Sequence, residues 1–149
     1  MPIHGIKGGL FMGLFDEHIG VWCGTHVVID GQGHEVERFE ATVQCRREGI
    51  RWFQTTTRAW PDGRVAESEF FGTFDAEGVL HYEHPHVVGQ GRDLGGHDIV
   101  SVWKDPEHPE VSHASLITLL SRDRRVRTAQ TIEGGKLTAL TLIKEARVH

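Results

Sequence analysis

Residues able to do acid–base or metal chemistry are plentiful in this chain, which carries 11 histidines and 21 Asp+Glu, but few stand at a spacing that assigns a task. A zinc centre needs three or four converging ligands, and neither H-E-x-x-H nor C-x-x-C occurs. The densest group is "HYEHPH", residues 81–86. On a strand His84 and His86 would share a face, yet Pro85 between them favours a turn or an edge, and no resident metal or other cofactor is expected. Nucleophilic catalysis finds no G-x-S-x-G elbow around the serines at 68, 101, 112, 115 and 121. The run "GQGRDLGG" lacks the Lys-Ser/Thr and the following helix of a phosphate cradle. Cys23 and Cys45 have no electropositive setting to single out a thiolate. They fall on neighbouring strands but several residues out of register, so free thiols in a reducing cytoplasm are expected.

More is carried by "HIGVWCGTH", residues 18–26. Strand alternation puts Trp22, Gly24 and His26 on one face and Val21, Cys23, Thr25, Val27 and Ile29 on the other. If Trp22 points inward, so does His26, and the missing side chain at Gly24 leaves room above the indole. The second face is the more apolar, so a simple hydrophobic-inside rule would choose it as core. In "RWFQTTTR" one face bears Trp52, Gln54, Thr56 and Arg58 and the other Phe53, Thr55 and Thr57, and one of the two must look inward. An aromatic beside an amide, a hydroxyl and a guanidinium is the lining of a ligand pocket. In "VAESEFF" Glu67 and Glu69 share a face. A carboxylate opposite His26 or Arg58 would form an acid/base pair; on a solvated face it would be ordinary surface charge. Tyr82 lies at the centre of the fifth strand. Arg127 and Gln130 lie on opposite faces of the ninth, so at most one lines a cavity, and Arg127 is the candidate.

The elements that hold these groups are strands. Turn signals recur every eight to twelve residues or so: "DGQG" at 30, "REG" at 47, "PDG" at 61, "DAEG" at 75, "DPEHPE" at 105, "SRD" at 121 and "EGG" at 133. Between them run Val-, Ile-, Thr- and Trp-rich segments, about ten in all, centred near Cys23, Thr42, Thr55, Ser68, Tyr82, Val88, Val100, Ile117, Ala129 and Thr141. One short helix, over about residues 8–18, precedes them. Closing such a meander removes its edges, which predicts an all-β, single antiparallel up-and-down barrel forming one domain over residues 1–149. A formal net charge of -5, with basic residues interleaved among acidic ones, argues against a nucleic-acid surface. No apolar run approaches the roughly 18 residues of a membrane helix, and the opening "GGLFMGLF" is a poor signal peptide.

"FMGLFDEHIGVWCGTH", "WPDGR", "FFGTFD" and "RTAQTIEGGKLTALTLIKEARV" together resemble a bacterial domain family of unknown function in the calycin superfamily, related to lipocalins and phycobilin lyases. The resemblance covers nearly the whole chain. It implies that Gly20-Val21-Trp22 is the strand-A G-x-W motif, with the indole across the closed end of a calycin barrel and a basic residue of the last strand, Lys144 or Arg147, packed over it. It thereby decides for Trp22 and His26 inward. The chain departs from the family pattern at Ala129, Thr131 and Leu140, where bulkier residues are usual, which implies a pocket of altered shape.

The expected function is lipocalin-like binding of a small apolar or aromatic molecule inside the barrel, in specialised metabolism. The expected contacts are Trp22, Gly24, Trp52, Gln54, Thr56, Tyr82 and Arg127. The alternative is a cofactor-free cyclase, isomerase or dehydratase in the same cavity, with His26 as general acid/base, Arg58 stabilising an anion or enolate, and Glu69 orienting or exchanging protons. A third reading pairs the apolar strand-A face with a second copy as a homodimer.

Overall fold

A computed structural model describes residues 13–149. The expected helix over 8–18 therefore lies partly outside the described residues; what is described of it is a single 3-10 turn, Gly13–His18. Ten strands follow: β1 (Gly20–Asp30), β2 (Glu35–Glu48), β3 (Arg51–Ala59), β4 (Val65–Phe74), β5 (Leu80–His84), β6 (Val87–Asp93), β7 (Asp98–Lys104), β8 (Val111–Ser121), β9 (Arg124–Glu133) and β10 (Lys136–Val148). Each pairs antiparallel with the next, and β10 returns to pair with β1 from Val21↔Val148 to Asp30↔Ala139, so the sheet closes into a barrel. All ten predicted strand centres fall within these strands.

The hairpin turns follow from the Asp and Gly residues at their corners. Asp30 Oδ1 accepts the backbone N–H of Gln32 and of His34, and Asp75 Oδ1 does the same for Glu77 and Val79. The glycines that complete these two turns, Gly33 and Gly78, hold φ of 89° and 82°, where a side chain would be strained. The turn between β5 and β6 is Pro85-His86, so the proline ends a strand and does not interrupt a ladder.

Inside and outside are set by parity. In β2, Phe39, Ala41, Val43 and Cys45 are buried while the residues between them are exposed. On β1 the motif prevails over the hydrophobic-inside rule: Trp22 is fully buried and His26 buried, whereas Cys23 is exposed. The displaced apolar face of β1 looks outward, where Val27 stands opposite the exposed Leu142 of β10. Cys23 and Cys45 consequently point to opposite sides of the wall as free thiols.

One end is closed by the 3-10 turn. Leu14 N–H donates to Asp93 Oδ2 at 2.7 Å, Arg47 Nε donates to Asp16 Oδ1 at 2.7 Å, and Arg147 donates to the carbonyls of Ile19 and Glu17, both at 2.6 Å. Phe15 enters the barrel and meets Phe74 and Trp52 edge-on, with ring centroids 5.1 and 5.8 Å apart. With the turn fixed by four tertiary hydrogen bonds, its shape owes little to intrinsic helix propensity. Among the described residues no helix is long and apolar enough to cross a membrane.

Candidate ligand cavity

Above this plug the barrel encloses a cavity of about 660 Å³. Its depth is aromatic and aliphatic: Phe15, Trp52, Leu80 and Ile99 line it beside the cluster that includes Trp22 and Phe74. Higher up, the walls carry polar groups at spaced positions. Trp52, Gln54, Thr56 and Arg58 share one face by the alternation of β3, and it is this face that looks in. Tyr82 lines the cavity too; its hydroxyl is hydrogen-bonded to Ser101 Oγ, and burial pushes its pKa up to about 12. Ser115, Ala129 and Thr141 form one cross-strand row of small side chains on β8, β9 and β10. Ala129 therefore widens the interior, whereas Thr131 does not line the cavity but meets His113 Nδ1 at 3.2 Å, and Leu140 belongs to the opposite face of β10.

His26 lines the cavity from β1, packed on Phe39 with ring centroids 4.9 Å apart. Its Nε2 finds no hydrogen-bond partner among the described residues. Burial first, then the positive charge of Arg127, lowers its pKa to about 4. The ring is neutral at physiological pH and able to donate or accept one hydrogen bond.

Arg58 donates from Nη1 to Ser68 Oγ at 2.9 Å. Ser68, not Glu69, is the inward polar group of β4, because Thr56 pairs with Ser68 and Phe70 packs inward on Tyr82. Glu69 and Glu67 accept from Thr55 and Thr57 on the outer face. The expected trio of His26, Arg58 and Glu69 is thus not assembled; Glu69 contributes wall but no inward carboxylate.

The buried inward carboxylate is Glu145 of β10, which the sequence pattern did not single out. Glu145 Oε1 accepts from Arg125 Nε at 2.8 Å and from Arg127 Nε at 2.6 Å, and all three side chains are largely or wholly buried. Although burial opposes ionisation, the two guanidinium groups hold the Glu145 carboxyl below its ordinary range. Arg125 Nη1 also donates to His18 Nδ1 at 3.0 Å, which puts the proton of the neutral His18 ring on Nε2. His18, lowered to about 3 by burial and by Arg125, stays uncharged.

This network governs Trp22 and Gly24, neither of which lines the cavity, so the expectation of ligand contact at both is corrected. The Trp22 indole is sandwiched under two guanidinium groups, Arg147 at 4.3 Å and Arg125 at 4.4 Å from the ring centroid, and its N–H donates to the His18 carbonyl at 3.0 Å. The basic cover implied by the resemblance is therefore Arg147 joined by Arg125, with Lys144 on the outer face. At Gly24 the space is taken: a Cβ there would lie 1.9 Å from the Lys144 carbonyl oxygen and 2.9 Å from Glu145 Cγ. The glycine makes room for the β10 backbone and the Glu145 side chain, not for a ligand.

At the rim, donor atoms of His86, Asp105 and Glu107 gather within 4.8 Å of one another. They are mostly solvent-exposed, and the two hairpin tips that carry them explain the cluster as surface ion pairing.

Comparisons with known proteins agree with this architecture. In Nostoc punctiforme, a protein of unknown function from the DUF3598 family has a solved structure that matches with a TM-score of 0.68 and 18% identity, over 89% of this chain and 48% of that one. The S-type phycobiliprotein lyase of Guillardia theta matches at 0.74 and 12% identity over 91% of both chains. A Mycobacterium tuberculosis protein matches at 0.62 and 14%, over 89% of this chain and 94% of that one. At these identities the likeness is one of fold, a lipocalin-like barrel, and this chain spans about half the length of the Nostoc protein. No protein with a curated description matches the sequence. The model for the family described as "Domain of unknown function (DUF3598), N-terminal" matches residues 11–149, and the chain belongs to that family.

Proposed function

We propose that the barrel binds a small molecule with an aromatic or apolar body, enclosed between the aromatic base and the polar upper wall. The observation that carries this reading is the cavity itself: about 660 Å³, inside the span of roughly 300–1,000 Å³ usual for small-molecule pockets. A barrel whose interior were filled by its own side chains would offer no such space. Spaced polar groups such as Gln54, Thr56 and Arg58, held on strands and not on loops, suit orientation of one ligand. The fold is shared with a protein that is a phycobiliprotein lyase, which makes a role in specialised metabolism reasonable for this chain as well.

Binding is favoured over acid–base catalysis by two features. Glu69 faces outward, and a histidine with a pKa of about 4 is a weak base at neutral pH. The test is titration with N-phenyl-1-naphthylamine, an uncharged aromatic probe that fluoresces in apolar surroundings, read together with thermal unfolding. Saturable fluorescence at one probe per chain is expected, with stabilisation of about 2.7 kcal/mol at a hundredfold excess over Kd. Fluorescence that never saturates, without any change in unfolding temperature, would overturn the reading.

A further inference from the structure

We infer that the molecule the cavity takes is an organic anion, an aromatic or apolar body bearing a carboxylate or sulfonate, whose acidic group is received at Arg58 beside the unpartnered His26 imidazole. The inference rests on the proposed binding role and names the chemistry of its ligand.

The argument begins with charge inside the wall. Three guanidinium groups line the cavity, those of Arg58, Arg125 and Arg127; the buried carboxylate Glu145 pairs with two of them, and Glu37, on the inward face of β2 but exposed at the mouth, makes no ion pair with the third. Arg58 is left with a neutral partner, the Ser68 hydroxyl, and takes part in no ion pair among the described residues. It is half-buried, and burial lowers its pKa from the ordinary guanidinium value, the mark of a cation short of solvation.

The carboxylates near Arg58 make no ion pair with it: the charge of Glu37, at the exposed mouth, offsets only part of the effect of burial on Arg58. Glu67 and Glu69 have the wrong parity and accept from Thr57 and Thr55 outside the wall. Glu37 accepts the Trp60 indole N–H. A neutral ligand closing over Arg58 would strip its remaining water and return no counter-charge, which costs free energy. A cationic one would be repelled by the surplus positive charge. An anion gains a charge-assisted hydrogen bond where water is scarce.

His26 adds a second, independent pointer. Its Nε2 is buried without a partner among the described residues, and the ring feels the positive charge of both Arg127 and Arg58. In register, His26 stands between Ile143, which faces Arg127, and Phe39, two residues along β2 from the Ala41 that faces Arg58. A neutral imidazole with its proton on Nε2 would donate to the same acidic group. The aromatic base and the volume call for a body on that group, which separates the ligand class from inorganic anions.

The experiment uses two probes with one skeleton. N-phenyl-1-naphthylamine and 8-anilinonaphthalene-1-sulfonate differ by the sulfonate, and both report apolar binding by fluorescence. The wild-type protein is expected to bind the sulfonate more tightly by about tenfold or more. Arg58→Gln should erase that preference and Arg58→Lys should retain most of it. Ser68→Glu, which supplies a carboxylate next to Arg58 from within, should erase it as well, and circular dichroism of each variant confirms that it is folded. Saturable binding of both probes with no sulfonate preference, or a preference that survives Arg58→Gln and Ser68→Glu, would overturn the anion inference while leaving the binding role standing. Failure of both probes to bind would overturn the two together.

Discussion

The closed end of the barrel and its upper half use the same kinds of residue in opposite ways. Below, Arg125, Arg127 and Arg147 have their charge spent: on Glu145, on the Trp22 ring and on backbone carbonyls. Above, Arg58 has a hydroxyl and His26 a ring stack, and polar atoms face the cavity. The difference teaches that an inward charge is not by itself a site. Where its partners come from the chain it builds the plug; where they do not, it awaits a ligand.

Removing the partner below should have the largest effect. Glu145→Ala leaves Arg125 and Arg127 buried against each other's charge, and breaking a buried ion pair from one side costs about 3–5 kcal/mol. Arg58→Gln above gives up one hydrogen bond to a hydroxyl, about 0.5–1.5 kcal/mol. Urea unfolding with an unchanged m-value measures both. Equal losses at the two sites would erase the distinction between plug and pocket.

Acid probes the same contrast without a mutation. His18 and His26 titrate near 6.5 when unfolded but near 3 and near 4 in the folded barrel. Between those values the unfolded chain binds more protons, so stability rises with pH; the contribution is complete above about 6.5 and is lost as pH falls through 4 and then 3. The Glu145 carboxyl, lowered by its arginines, acts in the same direction below its ordinary range. Each tenfold loss of proton affinity on folding is worth about 1.4 kcal/mol, so the combined effect is several kcal/mol. A stability that stays level from pH 7 to pH 4 would contradict the burial of both rings.

Gly24 gives the next smaller effect and a cleaner local test. Its Cβ position falls 1.9 Å from the Lys144 carbonyl oxygen, so Gly24→Ala must push β1 from β10 or displace Glu145. Overpacking of this kind costs about 1–3 kcal/mol. If Gly24→Ala instead reduced probe binding with stability unchanged, the space above the indole would belong to the ligand after all.

The fold was readable because its determinants are local. Asp and Gly at the turns and period-2 alternation, as in "FEATVQC", are visible in a single strand's sequence, and ten antiparallel strands in succession leave closure as the way to satisfy both edges. Much of the cavity was readable for the same reason, since alternation groups Trp52, Gln54, Thr56 and Arg58 on one face, although Phe53 on the other left the inward side of β3 open. Glu69 was misplaced because "SEFF" puts a phenylalanine on each face, and only the cross-strand pairing Thr56↔Ser68 decides between them. The plug stayed hidden because its parts meet only across strands: Arg125 and Glu145, 20 positions apart, through the β9–β10 register, and His18 from 107 positions away. The signal in "RRVRT" and "KEARV" was there, arginines two apart and a glutamate two before an arginine. Polar residues at alternate positions ordinarily mark a solvated face, and only the register Arg125↔Glu145 turns that face inward.

The smallest expected change in stability comes with the largest change in binding. Ala129 sits between Ser115 and Thr141 in the row of small side chains that widens the cavity. Ala129→Trp would place an indole in open volume and not in packed core, so little is displaced and stability should move by no more than about 1 kcal/mol, unlike overpacking in a filled interior. The same indole occupies the space a naphthyl ring needs, and fluorescence titration should show both probes weakened by more than about tenfold. A tryptophan on the outer face at Leu140 should leave the probes untouched. If Ala129→Trp bound them as well as the wild type does, the ligand would have to sit lower, on the aromatic base between Phe15 and Trp52, and Arg58 would lie too far up the wall to receive its acidic group.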